Sequence, residues 1–165
     1  MGEAYIVRRG GSGTGEDESG RKYLYRDGDG LDSLTGGWAE TSDGTGSCIL
    51  EADGILLKTS SSQSRKGVVT GGTVDLTDSS KLCMEVDVSE YVAGSTQLRV
   101  GIHTTGSPVT GSGSVTSTSK LALPYSEGRM QVKYDVSSRT DAYYIWASLA
   151  NATKATVKIL RIWLE

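Results

Sequence analysis

Phenylalanine is absent from this chain, proline and cysteine occur twice each, and histidine occurs once. Without phenylalanine, three tryptophans and eight tyrosines are the only large rings, and rings of that size dominate burial. Cys48 and Cys83 lie outside any CxxC spacing, and with His103 they are too few for a zinc site of the usual Cys/His kind. Both are expected as free thiols, because disulfides follow oxidising compartments and the basic and apolar regions of a signal peptide are missing. No run approaches the roughly 20 apolar residues of a membrane-spanning helix. The balance of 17 basic and 20 acidic side chains, net −3, gives no electrostatic footprint for nucleic acid.

What abounds is small and polar. Glycine, serine and threonine make up 61 of the 165 residues, a composition that suits turns and solvated strand faces and argues against a helical bundle. The length fits one domain with a core large enough to need no metal or disulfide.

The organisation follows from where the apolar residues fall. Ala4 to Val7 is a short strand candidate closed by Arg8 and Arg9, and Gly10 to Lys22 has no apolar residue, as expected of a solvated tether. Residues 1–20 are therefore read as an arm and Gly-rich tether, and residues 21–165 as the folded body. An arm that short cannot form its own core, so Tyr5, Ile6, Val7, Arg8 and Arg9 are candidates for pairing with a sheet edge of this or a neighbouring chain.

In the body, Lys81 to Val88 alternates Leu82, Met84, Val86 and Val88 with Lys81, Cys83, Glu85 and Asp87. Gln97 to Thr104 and Met130 to Val136 repeat the pattern, with Arg99 and His103 on the polar phase of the first. Period-two alternation means sheets with one dry and one wet face, which two packed antiparallel sheets provide. Asp141 to Leu149 is apolar in both phases and predicts a central strand covered on both sides. In Thr153 to Leu164 the apolar phase switches between Ile159 and Leu160, so a β-bulge or a change of packing partner is expected there. With Lys22 to Tyr25, Gly37 to Ala39, Ser47 to Leu50, Gly54 to Lys58, Gly67 to Thr70, Thr73 to Leu76 and Leu121 to Leu123, the total is about ten strands. Thr105 to Lys120 reads as a solvated loop or an irregular edge hairpin. The fold class expected is all-β: a two-sheet antiparallel β-sandwich, a jelly roll, with almost no helix.

Chemistry-bearing clusters are few. Gly10 to Gly15 has no GK[ST] ending and no helix to follow, so it is a linker and not a phosphate loop. Asp27, Asp29 and Asp32 could offer three oxygens to Ca2+, but Leu31 stands where an EF-hand needs a ligand, and Asp-Gly pairs suit tight turns; turn is favoured and no cofactor is expected. Glu85 and Asp87, two apart on one strand, could serve a glycosidase only across a cleft, and His103 has no GxSxG elbow to serve. Asn151-Ala152-Thr153 matches a glycosylation sequon but reads as a turn without a secretory signal. Trp38, in GGW, and Tyr125, after Pro124, are the candidate exposed rings for a ligand; most of the other rings are assigned to the core.

The opening MGEAYIVRRGGSG resembles the leader of small tail or virion structural proteins of phages and prophages. The segments LYRDGDGLDSLTGGW, VDLTDSSKLCMEVDVS and DVSSRTDAYYIWASLANATKATVKILRIWLE are similar to the jelly roll shared by carbohydrate-binding modules and galactose-binding-like domains. The resemblance implies a non-enzymatic β-sandwich module of a virion, tail- or fibre-associated, made in the bacterial cytoplasm. Its partners would be its own copies or neighbouring virion proteins. The alternative is a carbohydrate-binding module for cell-surface glycan, and a hydrolase using Glu85 and Asp87 is the third reading. None of the motifs transfers a binding residue.

Overall fold

The computed structural model describes residues 20–30, 38–43, 46–60, 65–92, 97–104, 117–122, 127–150 and 154–165. These form thirteen strands and no helix: β1 (Lys22–Arg26), β2 (Asp29–Gly30), β3 (Trp38–Asp43), β4 (Gly46–Glu51), β5 (Gly54–Thr59), β6 (Arg65–Thr70), β7 (Val74–Asp75), β8 (Lys81–Glu90), β9 (Gln97–His103), β10 (Ser117–Ala122), β11 (Gly128–Asp135), β12 (Ala142–Ala150) and β13 (Ala155–Leu164). The strands expected in the body are all present, β2 adds a two-residue pairing, and the candidate at Ala4 to Val7 lies outside the described residues. The strand foreseen at Leu121 begins earlier, at Ser117, as an edge strand within the Gly/Ser/Thr stretch.

All pairings are antiparallel and make two sheets. The first runs β11-β8-β13-β1-β2, with β5 also on β13 and β4 on β5; the second runs β10-β9-β12-β6-β3, with β7 on β12. They are the two layers of a sandwich, and one apolar cluster between them takes residues from both. Leu82, Met84, Val86 and Val88 of β8 meet Leu98, Val100 and Ile102 of β9, together with Ile145, Ala147 and Leu149 of β12.

β13 organises the first sheet because it has a different partner at each half of one edge. Ala155 to Ile159 pair with β5, and Arg161 to Leu164 pair with β1. On its other edge the register against β8 slips between Ile159, opposite Val86, and Arg161, opposite Glu85, leaving Leu160 as the extra residue. The bulge expected from the phase switch is therefore in place. It lets Val157 and Ile159 before it and Ile162 and Leu164 after it all reach the same interior.

The Asp27-Gly28 pair is the tight turn that its sequence suggests. Both residues have positive φ, 48° and 87°, and Arg26 opposes Asp29 across the two-residue loop, the geometry of a type I′ hairpin. Glycine is required at position 28 on a second count, since a Cβ there would collide with the Ala52 carbonyl of the β4–β5 turn. Two other turns share one device: Asp75 Oδ1 accepts from Thr77 N–H and hydroxyl at 2.9 and 2.6 Å, and Asp135 Oδ1 does the same for Ser137.

Candidate functional site

The sandwich has two outer faces, and their chemistry differs. On the first sheet the expected wet face of β8 is only partly wet. Cys83 is fully buried in a second, small cluster with Tyr23 and Trp163, which corrects its assignment to a solvated row. Alternation identifies the residue pointing away from the main core, but it does not reveal that a neighbouring tryptophan lies over it. The Tyr23 and Trp163 rings are 6.1 Å apart, Arg21 lies 5.0 Å over Trp163, and Arg26 lies 4.8 Å over Tyr23. The Trp163 indole N–H donates to Glu165 Oε1 at 3.0 Å. That bond holds the Glu165 carboxyl below the usual carboxylate range, against the opposing effect of burial and helped by Lys133.

Burial pushes the Cys83 thiol up to about 11, with Glu165 adding to the shift. A thiol that ionises higher in the native than in the unfolded chain binds more protons in the native state between the two values. Stability from this group is therefore complete below its ordinary value of 9.0 and falls as the pH rises through about 11. We expect an alkaline loss of about 2 kcal/mol that disappears in Cys83→Ala, read by urea melts at pH 8 and pH 11. In native protein a thiol reagent should label Cys48, which is half-buried, well before Cys83, which is fully buried. Equal labelling rates would contradict this arrangement.

The rest of this face is a lattice of opposite charges. Lys158 Nζ lies 2.8 Å from Glu51 and 2.9 Å from Asp53, and Arg161 holds Asp27 through two bonds at 3.2 and 3.1 Å and approaches Glu85 at 3.6 Å. Two candidates are placed by these contacts. Asp27 has its carboxylate on Arg161, Asp29 opposes Arg26 in β2, and Asp32 lies outside the described residues. Glu85 and Asp87 are half-buried rather than facing solvent together, with Glu85 beside Arg161 and Asp87 opposite Lys158 and Arg129. They sit in an ion-paired sheet surface.

The outer face of the second sheet is built from rings and small residues. Tyr144, Trp146 and Ser148 of β12 alternate with Ile145, Ala147 and Leu149, which belong to the interior cluster. Directly opposed residues of an antiparallel pair share a face. Trp146 opposes Gly101 and Val69, Ser148 opposes Arg99 and Gly67, and Tyr144 opposes His103. His103 was expected outward and wet; it does lie in the outward phase but is 2% exposed. Trp146 is 5% exposed, and its Nε1 is buried with no hydrogen-bond partner. Its counterpart on the other sheet, Trp163, has Glu165. The residues two before and two after Trp146 are Tyr144 and Ser148, so no carboxylate stands at the matching place. Gly67 keeps this floor flat, since a Cβ there would run into the backbone and side chain of Ser148.

The strand of Trp146, apolar in both phases, was expected to be covered on both sides, and the ring is buried accordingly; the pattern does not show that its indole lacks an acceptor. The signal available was the glycines: Gly67 and Gly101 fall in strand interiors, where they weaken a sheet and mark a close approach. Trp38 is the first residue of edge strand β3 and opposes Thr70, one residue out of step with the row of Trp146, Val69 and Ala39. Tyr125, the arm residues Tyr5 to Arg9 and the sequon at Asn151 lie outside the described residues. Among the described residues no group of three acidic, histidine or cysteine side chains could hold a metal, and no helix is long and apolar enough to cross a membrane.

No family model and no curated protein matches the sequence. Solved structures do match in fold. The glycoside hydrolase domain of Endo-D from Streptococcus pneumoniae R6 aligns with 78% of this chain at a TM-score of 0.54 and 13% identity. The enzymatically active domain of tailspike protein 4 of bacteriophage CBA120 aligns with 87% at 0.53 and 9% identity. The chain spans 21% of the length of each of these two. The family 11 carbohydrate-binding module of a cellulosomal cellulase from Clostridium thermocellum aligns over 88% of this chain and 94% of its own, at 0.51 and 13% identity. The fold that the chain shares with these proteins is the all-β jelly-roll sandwich expected from its sequence.

Proposed function

We propose that this protein is a glycan-recognition module whose ligand lies on the outer face of the second sheet. The observation that carries the reading is the unsatisfied indole N–H of Trp146 on that face. A buried donor without an acceptor costs about 1–3 kcal/mol, and a sugar hydroxyl is an acceptor of the right kind. Trp146 is the floor of the face rather than an open platform; the half-buried ring of Tyr144 beside it supplies apolar surface for a sugar ring. The likeness to a carbohydrate-binding module over nearly the full length of both chains supports the reading. The charge lattice of the other face, already satisfied internally, offers a neutral sugar less. The test is a glycan array followed by titration calorimetry. Saturable binding that falls about tenfold in Tyr144→Ala is expected; silence across the array, or binding indifferent to that change, would refute it.

A place in a virion is a second proposal, supported by the likeness to a domain of a phage tailspike and by the leader-like first thirteen residues. In that setting residues 1–20 would dock the module on its own copies or on neighbouring virion proteins, and residues 21–165 would present the glycan face. Deleting residues 1–20 should then lower the oligomer mass while leaving the melting temperature of the sandwich intact. An unchanged mass would count against the arm.

A further inference from the structure

The first sheet has two long edge strands, β11 and β4, and they are unlike. β11 is blunted in the usual way: its exposed residues are Arg129, Gln131, Lys133 and Asp135, and charge on an edge discourages pairing with another chain. β4 has β5 on one edge and, among the described residues, no strand on the other. It reads Gly46-Ser47-Cys48-Ile49-Leu50-Glu51, and Ile49 and Leu50 are 45% and 60% exposed. Among the described residues only one other large apolar side chain, Val92, is comparably open. Consecutive strand residues point to opposite faces, so a single strand laid on β4 covers both Ile49 and Leu50.

The residues of β4 fit a copy of themselves. Two copies paired antiparallel about a two-fold axis keep each residue on its own face, so within the apolar run the axis passes beside Cys48, Ile49 or Leu50. About Cys48, Ile49 meets Ser47 and Leu50 meets Gly46; about Leu50, Ile49 meets Glu51. About Ile49 every apolar residue meets an apolar one: Ile49 meets itself, Leu50 meets Cys48, and Glu51 meets Ser47. The outer-face row that ends on Ile49 reads Arg129, Asp87, Lys158, Leu56, Ile49. Doubled across the axis it puts Leu56, Ile49, Ile49, Leu56 in one apolar strip between two ion-paired surfaces. Charge fits as well. Ser47 lies beside Lys58 of β5, which is exposed and has no ion pair among the described residues. Glu51 gives Oε2 to its own Lys158 at 2.8 Å, which leaves Oε1 to reach Lys58 of the second copy across the small Ser47.

We propose that β4 is a self-association edge: two copies of this chain pair antiparallel about Ile49 and continue the first sheet from one molecule into the next. A six-residue edge makes a small interface, so the dimer dissociates on dilution. The axis stands normal to the sheet, and both copies therefore turn the outer faces of their second sheets to the same side. The pairing depends on neither reading of function; under the glycan reading it offers two faces to one polymer. The arm of residues 1–20 is the other strand that an apolar edge admits, and the experiment separates the two.

The measurement is sedimentation of the full chain between about 5 and 500 µM, where the mean mass should rise to at least two copies. Ile49→Lys, a change at an exposed position that sets like charges on the axis, should halve the mass reached at the top of that range. Lys58→Glu should raise the dissociation constant about tenfold in about 50 mM salt and by less in about 500 mM. Cys48→Ser/Ile49→Cys should form a disulfide-linked dimer on mild oxidation, because residue 49 faces its own copy. Native Cys48 lies diagonal to its copy at about 7–8 Å, beyond disulfide reach, and should form none. Circular dichroism melts at the lowest concentration show that each variant folds.

A mass of one copy throughout the range would overturn the proposal, and so would association indifferent to Ile49→Lys. If Ile49→Lys breaks the association but residue 49 forms no link, another strand, the arm first among them, occupies β4 and self-pairing falls. A link through native Cys48 would move the axis and overturn the register. None of these outcomes bears on the glycan reading, which stands or falls with Trp146 and Tyr144.

Discussion

Replacing Trp163 by alanine should cost about 3–5 kcal/mol, the range for deleting a fully buried large ring. For a protein of this size that lowers the melting temperature by about 10 °C, a large part of an ordinary folding free energy. Trp163 lies near the end of β13, which bonds to β8 along one edge and to β1 along the other. It is 1% exposed, caps Cys83, tilts against Tyr23 and lies beneath the Arg21 guanidinium. Truncation opens a cavity at the centre of that cluster and releases two cross-strand contacts together. Trp163→Phe leaves a smaller ring and removes the donor to Glu165, so it should lose about 2 kcal/mol, ring and bond together.

A pH signature separates the two effects. The Glu165 carboxyl is held low in the native state, so the stability it contributes is present above the unfolded carboxylate value and lost as the pH falls through the native one. Trp163→Phe should flatten that acid slope, whereas a mere packing defect would lower the whole curve in parallel. Urea melts of native protein and both variants from pH 3 to pH 7 make the measurement. A loss below 1 kcal/mol in Trp163→Ala would mean that this cluster is incidental to the fold.

The architecture was legible because its governing residues are local. The phase switch at Ile159–Leu160 is written in consecutive side chains, and a bulge is the one way for both halves of β13 to face one core. The Asp-Gly turn is legible for the same reason. What alternation does not contain is whether an outer face is covered: Cys83 and His103 both fall in the outward phase, and both are buried. Nor does it contain pairing between distant strands. That β1 and β5 share one edge of β13, placing Ala52 against Gly28, depends on contacts more than twenty residues apart along the chain. The candidate site suffered from both gaps. Trp146 reads as core and is buried, but its unfilled indole is not written in the alternation, and its opposition to Gly101 and Val69 exists only once β12 is laid between β9 and β6.

Trp146 and Trp163 then make a controlled comparison, and Trp146→Phe is its decisive half. Both tryptophans occupy outward positions of long strands and both are buried, but only Trp163 has an acceptor for its indole. Phenylalanine at 146 removes an unsatisfied donor, a gain of about 1–3 kcal/mol, and leaves a smaller ring, a loss of similar size. Net stability should stay within about 1 kcal/mol of native, in contrast to the loss expected for the same change at 163. Binding should respond in the opposite sense. If a sugar hydroxyl accepts from Trp146 Nε1, Trp146→Phe loses a bond made in a dry setting and affinity falls about 10- to 100-fold, read by calorimetry on the best ligand from the array. A variant that melts like native protein and no longer binds would place the donor in the recognition surface. One that binds as well as native protein would remove the observation on which the glycan reading stands, and Trp146 would then be a structural residue with an unfilled bond.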